Sequence, residues 1–302
     1  MQTAGDFLAK AFERMRDGRF QRSLSFVVAA TSAVSGIEVG YEHYKGSYSN
    51  PVMYTPVLLS GTLAIAGVAG VFSRRAAQTF LRVTSVVSLV DGVIGLGFHV
   101  RGIARKPGGW RLPVTNVVMG PPIFAPLLFG TSAYLGLLAS YLRREEDPAE
   151  AQGSSAEKGS ERASDWRTEI GAGRFQKHLC AITIAWALFS GFEAMYSHYK
   201  SNFRYKAQWT PVLLAPVLMA AAAAAIKSRR AARTLLPVAS TLALADGAAG
   251  FFYHARGIMR RPGGVKKLSY NILYGPPIFA PLLFAACGFL GLLASVLRRE
   301  SK

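Results

Sequence analysis

Apolar residues along the chain collect into eight runs separated by short polar or charged stretches, at about residues 24–44, 54–72, 80–100, 120–142, 179–199, 210–226, 234–255 and 275–297. Each is close to the ~20 residues a helix needs to cross roughly 30 Å of hydrocarbon. In lipid the backbone has no water to bond, so such runs must be helical. The pattern predicts an all-α polytopic membrane protein with eight transmembrane helices.

The runs form two sets of four, and the second set rewrites the first at a constant offset of 155 residues. GRFQ at 18–21 returns at 173–176, TPVLL at 55–59 returns at 210–214, and SRRAA at 73–77 returns at 228–232. GPPIFAPLLF at 120–129 returns at 275–284, and LGLLAS at 135–140 returns at 290–295. A duplication of this length predicts two tandem four-helix repeats. An even number of spans brings each repeat back to its starting side, so the repeats are parallel, related by an axis along the membrane normal. The chain then divides into a basic N-terminal segment (1–23), a first membrane repeat (24–144), a flexible linker (145–171) and a second membrane repeat (172–302). The linker is charged, rich in Ser, Ala and Gly, and without apolar period.

Composition narrows the environment. Hydrophobic residues make up 51% of the 302, charged residues only 17%, and mean hydropathy is +0.24. The net charge of +18 does not point to nucleic acid, because Lys and Arg stand in short clusters at the ends of apolar runs, where bilayer topology puts them. With the N-terminus inside, the cytoplasmic segments hold 22 of the 35 Lys and Arg and the opposite face 13. The expected localisation is a cell membrane, multi-pass, with both termini and the linker cytoplasmic. Cys180 and Cys287 lie inside apolar runs and are not copied between halves, which argues against a disulfide framework.

The stretch that carries candidate chemistry is 91–109, DGVIGLGFHVRGIARKPGG, rewritten at 246–264 as DGAAGFFYHARGIMRRPGG. An ionisable residue in a membrane span costs several kcal/mol unless it has a partner, yet both copies keep the acid (Asp91, Asp246) and a histidine eight residues on (His99, His254). The first span of each half adds Glu38 and His43, or Glu193 and His198, in the frame Ser-Gly-x-Glu-x-x-Tyr-x-His-Tyr-Lys. First and third helices stand diagonally in a four-helix bundle, so each half is expected to offer two imidazoles across its axis. That suits bis-histidine haem b, with Arg101 and Arg105, or Arg256 and Arg260, meeting the propionates.

The same histidines with Glu38 and Asp91, or Glu193 and Asp246, would instead suit Fe, Zn or Mn. Both readings imply electron transfer or membrane redox chemistry, with the lipid bilayer and a redox protein as partners. Two other readings use the same residues: a transporter or channel for protons, metal ions or a small anion, and a scaffold or lipid-binding protein in which the histidines only make hydrogen bonds. Gly92, Gly95 and Gly102 leave little bulk on the third span, where something flat or another helix can approach. Pro126 and Pro281, inside the fourth run of each half, are expected to kink it. Asn116 and Asn271, four residues before Gly-Pro-Pro, read as structural. No phosphate-binding loop or nucleophile elbow is legible.

Overall fold

The computed structural model describes residues 4–148 and 174–297. Among these residues the architecture is helical, with no strand beyond one isolated bridge between Arg19 and Arg143. A short amphipathic helix, α1 (Ala4–Arg16), precedes four longer ones: α2 (Gln21–Lys45), α3 (Thr55–Phe72), α4 (Arg82–Ala104) and α5 (Ala125–Tyr141). The same order follows again as α6 (Phe175–Lys200), α7 (Thr210–Lys227), α8 (Leu235–Met259) and α9 (Ala280–Val296). In the first bundle α2 packs on α3 and α5, and α4 packs on α3 and α5, so α2 and α4 face each other across a diagonal. In the second, α6 and α8 hold the corresponding positions.

Small polar residues share the interior with the apolar core, while many large apolar side chains face outward. Ser25, Ser32, Ser60, Ser85, Ser88, Thr183 and Ser240 are buried, whereas Phe72 is 77% exposed, Leu58 68% and Phe26 65%. Small polar residues let helix backbones approach, and large apolar side chains on the outside are stable only in an apolar medium. The buried core, from Leu24, Leu63 and Leu135 to Leu179, Leu218 and Leu290, runs continuously through both halves.

Among the described residues six helical segments are long and apolar enough to cross a membrane: Gln21–Lys45, Pro51–Phe72, Arg74–Ala104, Phe175–Lys200, Lys206–Lys227 and Arg229–Met259. The fourth apolar run of each half is a shorter helix, because α5 and α9 begin only at Ala125 and Ala280 and have 17 residues each. The preceding Gly-Pro-Pro segment is a loop of bends and turns, since proline lacks an N–H and disfavours helix in the residue before it. Pro126 and Pro281 therefore occupy the first turn of their helices. They start the helices and do not kink them, contrary to the expectation from their position in the apolar run.

Most of the expected linker, residues 149–171, lies outside the described residues. Its first residues are structural. Glu145 accepts from the backbone N–H groups of Arg22 (3.0 Å) and Ser23 (2.8 Å) and from the Ser23 hydroxyl (2.7 Å). The first turn of α2 has no capping side chain of its own, and Glu145, just past the end of α5, supplies the missing acceptor. Two backbone bonds fasten the same corner: Arg143 N–H to Gly18 O and Gln21 N–H to Arg143 O, both 3.0 Å.

Candidate functional site

α4 ends where Gly108 and Gly109 take positive φ (+79° and +47°), as do Gly263 and Gly264 after α8 (+85° and +48°). Backbone in this region excludes most side chains, which accounts for the repeated Pro-Gly-Gly. Asn116 Nδ2 staples the turn by donating to Pro107 O (3.1 Å) and Gly109 O (2.7 Å). Asn271 reaches Pro262 O (3.4 Å) and Gly264 O (3.0 Å) in the same way. The structural role read for both asparagines is what they perform.

The glycine face of α4 is already covered. A Cβ on Gly92 would lie 2.8 Å from Pro126 O, and one on Gly95 would lie 3.0 Å from Pro126 Cβ. What approaches these glycines is the proline-bearing start of α5, and on α8 the start of α9 does the same at Gly250.

This close approach brings the loop before α5 under the histidine of α4. His99 Nδ1 lies 2.5 Å from Pro122 O, and His254 Nδ1 lies 2.6 Å from Pro277 O. On α2, His43 Nδ1 lies 2.6 Å from Met53 O. A carbonyl oxygen only accepts, so in all three rings Nδ1 carries the proton and, in the neutral imidazole, Nε2 presents its lone pair. In the second half the two histidines also meet. His198 and His254 are 6.4 Å apart between ring centroids with perpendicular planes, and His43 lies within electrostatic reach of His99.

The acids go elsewhere, each to the beginning of a helix. Asp91 Oδ1 accepts from Thr55 Oγ1 at 2.6 Å, and Thr55 is the first residue of α3. Asp246 is bonded in the same manner to Thr210, the first residue of α7. Glu38 Oε2 accepts from Phe279 N–H at 3.0 Å, while Ile278 N–H donates to Tyr41 Oη at 3.1 Å and the Tyr41 hydroxyl bonds Glu38. Reciprocally, Glu193 accepts from Phe124 N–H and from the Tyr196 hydroxyl, and Tyr196 is bonded to the Ile123 backbone. Each glutamate thus caps the last helix of the opposite half, at the positive end of the helix dipole. α5 and α9 have no side-chain cap of their own.

Aromatic rings seal one side of this junction: Phe124 stacks on Phe189 (4.7 Å) and meets Phe192 edge-on (5.5 Å), and Trp186 donates to Thr131 Oγ1.

The structure therefore brings together His198 with His254, places His43 and His99 on the corresponding diagonal helices of the first half, and leaves Glu38, Asp91, Glu193 and Asp246 bound to helix starts. Among the described residues no group of three or more His, Cys, Asp or Glu side chains converges on a point that would hold a metal ion. Arg101, Arg105, Arg256 and Arg260 are exposed beyond the histidines.

Sequence reasoning missed Tyr41, Tyr196, Thr55, Thr210 and the proline carbonyls. A signal for part of this was present: α5 and α9 open on Pro-Pro-Ile-Phe-Ala-Pro with no Ser, Thr, Asp or Asn to cap them, so a cap had to come from another segment. The molecule belongs to the multi-pass helical membrane proteins. No known family profile, curated protein or solved structure matches the chain.

Proposed function

We propose that the chain is an eight-span membrane protein of two tandem parallel four-helix repeats, each holding one haem b between two histidines and passing electrons within a cell membrane. His43 and His99 would hold the first haem, His198 and His254 the second. One observation carries this reading: histidines on diagonal helices, of which His43, His99 and His254 have Nδ1 tied to a backbone carbonyl and His198 faces His254. Metal-ligating histidines almost always donate the other ring N–H to a carbonyl or carboxylate, which fixes the ring and directs Nε2 at the metal. His198 and His254 stand 6.4 Å apart between ring centroids, near enough for both to serve one bound group.

The donor set favours haem over a bare ion. Zinc completes four ligands, and here the four acids are engaged at helix starts. Bis-histidine haem takes its other four nitrogens from the porphyrin, so two imidazoles suffice. When bound, haem supplies one-electron exchange. The chain's own part is to hold the rings in one tautomer, to keep water from the iron, and to meet the propionates with Arg101, Arg105, Arg256 and Arg260. The charge bias supports cytoplasmic termini and linker, which puts both sites near the outer leaflet, where a redox partner protein would dock.

The test is optical. Purified protein reduced with dithionite is expected to give the narrow, split bands of low-spin iron, at up to two haems per chain. His99→Ala should empty only the first site and His254→Ala only the second. A preparation with neither haem nor stoichiometric metal, in which both variants behave as wild type, would overturn the proposal.

A further inference from the structure

Three consecutive residues before α5 are each gripped by a different side chain. The Pro122 carbonyl accepts from His99, the Ile123 backbone is bonded to Tyr196, and the Phe124 N–H donates to Glu193. Before α9 the same three positions are held by His254 at Pro277 O, Tyr41 at Ile278 N–H and Glu38 at Phe279 N–H. The histidine comes from the same half as the gripped segment, and the tyrosine and glutamate come from the opposite one.

We infer that the Glu–Tyr pair of each half positions the histidine of the other: Glu38 and Tyr41 set His254, and Glu193 and Tyr196 set His99. A peptide unit is planar, so fixing the Ile278 N–H fixes the plane that also contains the Pro277 carbonyl, one bond away. Tyr41 thereby sets the direction from which Pro277 O meets the His254 ring. The Phe279 N–H bond to Glu38 holds the next peptide, so the segment cannot swing to follow the histidine. The two sites are exchanged across the molecule, and the half that carries a histidine does not by itself orient it.

This reverses the association that chain order suggests, in which Glu38 and Tyr41 serve the site of their own half. It rests on the proposed role of the histidines for its functional meaning, while the geometry stands without it.

The experiment is 15N NMR of histidine-labelled protein in lipid nanodiscs, with the His99 and His254 ring signals assigned from His99→Gln and His254→Gln. The wild type should show both rings with the proton on Nδ1. Tyr41→Phe removes one grip while keeping the ring, and should shift the tautomer ratio at His254 roughly fivefold, the effect of one net hydrogen bond, with His99 unchanged. Tyr196→Phe should do the same to His99 alone. Glu38→Ala and Glu193→Ala should give larger shifts with the same crossed pattern. If an alanine variant does not fold, the phenylalanine pair decides.

An unaltered His254 in Tyr41→Phe, an equal change at both histidines, or a change confined to the histidine of the mutated half would each overturn the inference. Absence of haem from the wild type would remove the proposed function and leave the tautomer result intact.

Discussion

A carboxylate inside a membrane helix is tolerated when something holds its charge or its proton, and here that something is the start of another helix. Asp91 binds Thr55, Asp246 binds Thr210, and Glu38 and Glu193 bind backbone N–H groups. Free N–H groups and the positive dipole end make these the most polar points of a bundle. Asparagine retains an acceptor for the threonine hydroxyl, so Asp91→Asn is expected to unfold close to the wild-type temperature in detergent. Asp91→Ala, which leaves that hydroxyl only the Val52 carbonyl (2.9 Å), should lose about 1 kcal/mol.

Outside the spans, Asp147 accepts from Arg74 and from the Arg144 N–H (3.1 Å). Burial opposes its charge, but these bonds and the neighbouring Arg143 outweigh burial and hold the carboxyl below its usual 3.8. A depressed folded-state value stabilises the native form above the unfolded value, and the effect is lost as pH falls through the folded one. Thermal melts of wild type should therefore decline below about pH 4, where Asp147→Asn, already lacking the charge, declines less. Salt should shrink the difference, since Arg74 is half exposed.

Among the elements, the recurrent device is a helix that begins without a capping residue and receives one from a distant segment. α2 begins after Phe20 and takes its acceptor from Glu145. Loss of a helix cap typically costs about 1 kcal/mol, so Glu145→Ala should lower stability by that amount in chemical denaturation followed by circular dichroism. Glu145→Gln, which still accepts, should recover part of it. The second device is the closely packed pair of α4 and α5, and of α8 and α9, where glycine meets proline. Pro126 and Pro281 fit there because the first turn of a helix has no use for their missing N–H.

For the whole molecule, the two halves meet through the glutamate and tyrosine exchange on both sides. They differ in apolar filling: Trp186, Phe189 and Phe192 stand where the first half has Thr31, Val34 and Ile37. On the proposed even number of spans per half, α2 and α6 would enter the membrane from the same side, and the 22 to 13 distribution of Lys and Arg favours the cytoplasm for that side. A cysteine in place of Ser154 should react with a membrane-impermeant maleimide only after the inner face is opened, since Cys180 and Cys287 are buried. Labelling from outside on intact cells would invert the topology and move the histidines to the inner leaflet.

Helix content, membrane character and the pairing of motifs were legible in the chain because each depends on local pattern. Twenty apolar residues in lipid have one way to satisfy their backbone. The diagonal placement of the first and third helices of each half also followed, because four helices joined by short loops must alternate around the bundle.

The partners of the acids were not legible. Glu38 is five residues from His43 and 241 from Phe279, and nothing in local spacing favours the second. Only the packed structure, by setting the starts of α5 and α9 against the opposite half's first helix, decided that the glutamates cap helices and that each histidine's carbonyl is held from across the molecule. The physical reason is that a helix start bears unpaired N–H groups wherever it is buried, and in lipid the nearest acceptor in space must satisfy them, however far away it lies in sequence.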